Sequence, residues 1–388
     1  MVKERDFSHL SRFPGETGNP FDIVLHRAEE FEKLPWPGFV VLLFLLAALV
    51  AAFDLPKGAV LFAFFVSDWA LLAFLPREKI SFGPPKPPTL ILAVLRSIFA
   101  VFWFPLFLIL QLVGTALVIY GFWIEPQRLT VTFQKLASPK LTSTRPLRLL
   151  HLGDLHIERI TAREKRLNQL VKDLKPDLIL FSGDILNLSY LHDPASWEAA
   201  RQVISEWRAP LGTFLVSGSP AVDLPEIMPD LTRDFPVRWL QKDRLSLEFD
   251  RQQIDLIGLT CTHRPALDGP QLEALVPTPP GAFSILLYHS PDLAPIAARL
   301  GIDLQLSGHT HGGQIRLPWL GAIFTGSLYG RAFQSGRMKL NELTLYITRG
   351  IGLEGAAAPR VRFLCPPEII LWEISASNPA GKISLKEG

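Results

Sequence analysis

An all-helical membrane region followed by an α/β domain on a largely parallel sheet is the architecture this sequence predicts. Apolar runs of bilayer-crossing length are concentrated between about residues 36 and 124. After residue 146, short apolar runs alternate with segments of helical period in a β-α-β-α-β series, the order that favours parallel pairing with right-handed crossovers. The ends of those short runs collect aspartates and histidines. On this reading the chain divides into an N-terminal cytoplasmic tail (1–35), transmembrane helices (36–124), a connector (125–145), the α/β domain (146–375) and a C-terminal tail (376–388).

Composition supports the division. The 388 residues are 48% hydrophobic, high for a soluble chain, and the excess lies in 36–124. Net charge is +2, so charge alone implies no polyanionic partner. No basic–aromatic strip is present, and no nucleic acid is expected as a partner. Cys261 and Cys365 form neither a close-spaced metal motif nor a disulfide framework, and read as small buried residues.

The first membrane run, 36–53, carries no charge and nearly matches a hydrocarbon core of about 30 Å. The second, 58–75, has Asp68 at its centre, either a functional acid or one held by a structural partner such as Arg96. The third, 89–123, would make a helix of about 52 Å, too long for one crossing and short for two. Arg96 and Pro105 interrupt it. It resolves either as a tilted span from about 98 to 123 or as a tight hairpin bending near Pro105. Basic residues in the N-terminal tail and in the 76–88 loop (Arg77, Lys79, Lys86) place both in the cytoplasm. Three spans put the α/β domain outside, and four keep it inside. The simpler single last span makes an extracytoplasmic domain the expectation.

Within the domain, "RLLHL" opens as a strand, and Thr161 with Glu164 forms a capping box. Leu167, Leu170, Val171 and Leu174 then share one helical face, which Pro176 ends. "DLILFSGD" is a second strand. A second helix begins around Asp193-Pro194, and a third strand covers 212–216. "FSILLYHSPDLAP" and "IDLQLSGHTHGGQI" supply two more strand ends. In such sheets ligands bind at the carboxyl ends of the strands.

Those ends hold Asp154-x-His156, Gly183-Asp184, Gly218-Ser219-Pro220, His289 and His309-x-His311. Alternate residues of an extended chain point the same way, so His-x-His projects two imidazoles together. They repel when protonated and gain little unless they bind something. With the aspartates they exceed what one tetrahedral site needs, and two metals sharing a carboxylate fit better. Mixed imidazole and carboxylate donors suit Mn, Fe or Zn more than Ca or Mg alone.

The motifs "GDLH", "GD", "YHSPD" and "GHTHGGQIRLP" resemble those of the calcineurin-like metallophosphoesterases over roughly residues 146–373. The resemblance implies a four-layer α-β-β-α sandwich with two divalent metal ions at the edge of its facing sheets. Carried over residue by residue, it implies Asp154, His156 and His311 at the first metal, Asp184 as the bridging carboxylate, and His289 and His309 at the second. It also implies hydrolysis of a phosphoester substrate by a metal-activated hydroxide, with both metals stabilising an in-line displacement.

The family's Gly-Asn-His is here Gly218-Ser219-Pro220. Ser219 reaches over 1 Å less than an asparagine, so a bridging water is the expected substitute at the second metal. Pro220 donates no proton, and losing a general acid costs about 10²–10⁴-fold. His263, after the apolar run "IDLIGL", is a candidate to compensate. Asp223 reads as the N-cap of a short helix at 224–230, His151 as a core residue and His192 as a surface one. Arg316, Arg349 and Arg360 are candidates to contact the substrate phosphate. The sequence thus predicts a multi-pass protein of the cell membrane whose partners are the lipid bilayer and a phosphoester, either a phosphorylated lipid, on the ground of the tether alone, or another membrane-proximal ester. The rival reading is a metal-binding scaffold or sensor of the same fold, weakened or inactive in catalysis.

Overall fold

The computed structural model describes residues 2–16, 18–52, 54–276 and 281–377. The predicted C-terminal tail lies outside the described residues from 378 onward. Five helices come first: α1 (Pro20–Glu29), α2 (Trp36–Val50), α3 (Leu55–Phe74), α4 (Lys86–Ser97) and α5 (Phe104–Ile119), the last continued by a π-turn to Ile124. The segments Leu55–Phe74 and Phe104–Gln127 are long and apolar enough to cross a membrane.

The third apolar run is a hairpin, not one tilted span. Pro105 lies in the first turn of α5, as Pro37, Pro56 and Pro87 lie in the first turns of α2, α3 and α4. A proline there gives up only an N–H that has no intrahelical partner, whereas inside a helix it breaks the ladder. Lys57 Nζ donates to the Ala100 carbonyl at 3.1 Å, so the α2–α3 and α4–α5 turns share one end of the bundle. At the other end Lys86 N donates to Glu32 at 3.0 Å, and Gln127 Nε2 to the Ile80 carbonyl at 3.1 Å. The N-terminal segment and the α/β domain therefore lie at the same end of the helical bundle. Residues 2–16 are not a free tail either. Val2 and Phe7 pack on the domain core, Phe13 is buried, and Glu16 pairs with Arg264 at 3.1 Å.

The domain contains β1 (Thr130–Ser138), β2 (Leu147–Leu152), α6 (Ala162–Leu174), β3 (Leu178–Phe181), α7 (Pro194–Ile204), β4 (Thr213–Val216), α8 (Met228–Thr232), β5 (Val237–Leu240), β6 (Lys242–Phe249) and β7 (Gln252–Leu259). It continues with α9 (Pro265–Leu275), β8 (Phe283–Leu287), α10 (Ala294–Arg299), β9 (Leu304–Ser307), β10 (Arg316–Leu317), β11 (Gly321–Ala322), β12 (Gly336–Leu340), β13 (Leu343–Ile347) and β14 (Glu368–Ala376). β1 lies inside the predicted connector, where it pairs in parallel with β14 as an edge strand.

Two six-stranded sheets, β1-β14-β2-β3-β4-β5 and β12-β13-β9-β8-β7-β6, face each other. Leu149, Leu180 and Val216 of the first meet Leu256, Ile285 and Leu306 of the second in the middle. The outer face of the first sheet lies under α6 and α7, through Leu167, Val171, Ala200 and Val203. That of the second lies under α9 and α10, through Leu272 and Ala297. This is the predicted four-layer sandwich, and each such leucine, isoleucine or valine contributes about 1.5–3 kcal/mol on full burial. The Thr161–Glu164 capping box forms and fixes the start of α6. Because β2, β3 and β4 are parallel, as are β7, β8 and β9, their carboxyl ends come to one rim.

Candidate metal centre

Six strand-end side chains and one from the loop after β7 converge on that rim. Oxygen or nitrogen atoms of Asp154, His156 and His311 lie within 4.8 Å of one another, as do those of Asp154, Asp184 and His289, and those of His263, His289 and His309. Asp184 Oδ2 is 3.4 Å from His156 Nε2 and 3.3 Å from His289 Nε2, placing this carboxylate between the groups. His156 and His311 face each other, Nε2 to Nε2, at 2.9 Å.

The backbone is bent to achieve this. Asp154, His156, Asp184, His263, His309 and His311 all have positive φ, between 38° and 71°. A non-glycine residue there costs about 1 kcal/mol or more, and such strain clusters at functional sites. Asp223 holds two of the loops together: its carboxylate accepts from the backbone N–H of Asp184 and Gly218 at 2.7 Å each, and of Ile185 at 2.9 Å. It is a clamp and not the helix N-cap expected, since α8 begins only at Met228. Gly218 persists for a steric reason, because a Cβ there would collide with the Asp184 carboxylate.

Hydrogen bonds behind the ring choose the tautomers. His289 Nδ1 donates to the Ser182 carbonyl at 2.8 Å, which turns Nε2 toward Asp184. His309 Nε2 donates to the Gly326 carbonyl at 3.0 Å, which leaves Nδ1. Fixing one ring nitrogen so that the other is free is how ligand histidines are oriented. Burial pushes Asp154 up to about 6. Burial would raise Asp184 too, but His289, His156 and the Ser219 N–H outweigh it and hold the carboxyl well below its usual range. Burial opposes charge on His289, yet Asp184 and Asp154 push it up to about 9. Burial and the His289 charge take His309 down to about 4.

Several donors remain unused. Asp154 Oδ2 and Nδ1 of His156, His263 and His311 are buried without a partner. An unpaired buried polar atom costs about 1–3 kcal/mol, and the Asp154 oxygen together with the Nε2 atoms of His156 and His311, which face each other and the aspartates, fits a divalent cation.

At the position of the missing asparagine, Ser219 Oγ stands 3.4 Å from Asp184 Oδ2, 3.3 Å from His289 Nε2 and 3.2 Å from His263 Nε2. His263 is buried with its ring centroid 4.3 Å from that of His309. The proposed phosphate contacts fall elsewhere. Arg349 pairs with Glu368 at 2.8 Å, Arg360 with Glu158 at 2.9 Å, and Arg316 bonds Ser335 at 2.8 Å. None of the three lines the cavity of about 350 Å³ that opens on Asp184, Ser219, His309 and His311. Arg12 does, with Phe13, Gly15 and Glu16 of the N-terminal segment. No sequence signal pointed to that segment, because nothing local says what a charged tail packs against. His151 is in the core, its Nε2 3.1 Å from Ser182 Oγ, and His192 is exposed in a turn.

Residues 147–313 match the calcineurin-like phosphoesterase family. The chain carries a calcineurin-like phosphoesterase domain. Metallophosphoesterase YkuE of Bacillus subtilis is 29% identical over 67% of this chain and 90% of its own length. Phosphodiesterase YaeI of Escherichia coli is 26% identical over 66% and 92%. The UDP-2,3-diacylglucosamine pyrophosphatase LpxG of Chlamydia trachomatis is 25% identical over 64% and 90%. The phosphoesterase domain thus follows a helical region whose apolar segments mark a membrane protein.

Proposed function

We propose that this protein is a membrane-tethered hydrolase of phosphoric esters that works with two divalent cations of the Mn, Fe or Zn type. The observation that carries the reading is the sharing of donors: Asp154 and His289 each belong to two of the three convergent groups. Asp154, His156 and His311 would hold one cation. Asp184, His289 and His309 would hold the other, with His263 supplying the donor that Ser219 is too short to give. Two such cations together supply an activated water and neutralise charge developing on the phosphoryl group.

The chain's own residues do the rest. Asp223 and the Gly218 turn hold Asp184 in place, and Arg12 meets the phosphate at the cavity mouth. Pro220 gives the leaving group no proton, so aryl esters are favoured over alkyl esters. The positive-inside rule and the shared end of the bundle support a multi-pass protein with its phosphoesterase domain in the cytoplasm.

The test uses the full chain in detergent with added Mn²⁺, bis(p-nitrophenyl) phosphate and p-nitrophenyl phosphate, beside Asp184→Asn. Changing groups behind metal ligands costs about 10–100-fold, so losing a ligand itself should cost about 100-fold or more. The Gly218-Ser219-Pro220 substitution favours a second reading, a metal-holding scaffold. Two bound cations per chain, with turnover no faster than Asp184→Asn, would establish that reading instead.

A further inference from the structure

The β10–β11 hairpin and the two residues after it expose Leu317, Trp319, Leu320, Ile323 and Phe324 to solvent, with Trp319 fully exposed at 102%. A contiguous apolar tip of this kind marks a surface that meets protein or membrane. Its position decides between them. Arg316 N at the base donates to the Phe363 carbonyl at 2.9 Å, and Arg362 N donates to Gly121 in the π-turn after α5 at 2.9 Å. The Phe363 and Tyr120 rings stack edge to face at 5.9 Å, and Val361 packs on Leu72 and Val118. The hairpin therefore rises from the point where the membrane helices enter the domain, beside the exposed Ile124. Exposed Arg128, bonded to the Tyr120 hydroxyl, and Arg331, bonded to the Leu320 carbonyl, flank it. Tryptophan and arginine at this depth suit the boundary between headgroups and acyl chains.

The same hairpin reaches the metal centre. Phe324 lines the cavity, and two residues on, the Gly326 carbonyl holds His309. The cavity is also lined by Phe13, Leu25, Leu188 and Val222, and by the charged and polar Arg12, Glu16, Asp184, His309 and His311. The polar lining suits a phosphoester and the apolar lining suits hydrocarbon.

We infer that the 317–324 hairpin inserts its Trp319–Leu320 tip into the leaflet on the side of the phosphoesterase domain, and that the cavity behind it takes the acyl chain of a phosphoester amphiphile drawn from that leaflet. The substrate half rests on the proposed hydrolase reading, whereas the hairpin half does not.

The full chain is reconstituted in nanodiscs of phosphatidylcholine and phosphatidylglycerol with a nitroxide on Trp319→Cys, and a control on exposed Glu342→Cys. Cys261 and Cys365 are buried and stay unlabelled. The label at 319 should collide more with oxygen than with a water-soluble nickel chelate, and the control the reverse. A label at 319 as wet as the control, or shielded from both reagents as by a protein partner, overturns the insertion. Next, p-nitrophenyl phosphodiesters of six- and sixteen-carbon alcohols, which keep an aryl leaving group, are compared as substrates. The preference for the long chain should fall about tenfold in Phe324→Ser, within the range by which hydrophobic pockets discriminate. A wild-type rate independent of chain length overturns the acyl site. An inert enzyme with a membrane-buried label sinks the hydrolase reading alone.

Discussion

The charge buried among the membrane helices and the charge buried at the strand ends follow opposite rules. Arg96 grips Asp68 with two hydrogen bonds of 2.6 and 2.7 Å, and its third nitrogen donates to the Gln111 carbonyl at 2.7 Å. Both Asp68 oxygens and all three guanidinium nitrogens are thereby used. At the rim of the sheets, by contrast, Asp154 Oδ2 and three imidazole nitrogens have no partner, and their backbones are held at positive φ. A cluster that satisfies itself is a strut. A cluster with lone pairs left over and strain built in is waiting for a ligand.

The sharpest way to break this contrast is Arg96→Ala. It leaves Asp68 uncompensated, and removing one partner of a buried pair costs about 3–5 kcal/mol. Denaturation in detergent should show that loss, and the double change Asp68→Leu with Arg96→Met should restore most of it, because replacing both charges with apolar groups is often neutral. No double apolar change at Asp154 and His156 should preserve cation binding, which metal analysis after gel filtration would read. Next in size is cation removal. At a free Mn²⁺ concentration 100 times Kd the protein gains about 2.7 kcal/mol. A chelator should therefore lower the Tm of the wild type but leave the chelator-treated Tm of Asp154→Asn unmoved. Equal shifts in both proteins would remove the metal reading. Smallest is Thr161→Ala, which opens the α6 cap for about 1 kcal/mol. It should change stability without changing bound metal, separating scaffold from site.

The same contrast governs what could be read from residues in order. The α6 helix was legible because its cap and its apolar face are local, three and four residues apart. The strand-end donors were legible because parallel connectivity sends all carboxyl ends one way, whatever the details of packing. Asp223 was misread because its partners, the amides of Asp184 and Ile185, lie almost forty residues upstream. Arg349 and Arg360 looked free for a phosphate, but Glu368 and Glu158 claim them across the fold. The hairpin at Pro105 was undecided because helix length alone allows either solution, and only contacts such as Lys57 with Ala100 choose.

By itself, then, the sequence determined the two-part architecture and the identity of the strand-end donors, since these follow from hydrophobic period and from chemistry carried on single residues, while the four-layer sandwich was implied by the resemblance its motifs carry. Tertiary structure alone decided which charges are spent on one another and which stay open. It also brought the N-terminal segment over the cavity and put both termini of the helical bundle at one end. The reason is that pairing and solvent exclusion depend on distances across the fold, and no local pattern encodes a distance between residues 12 and 309.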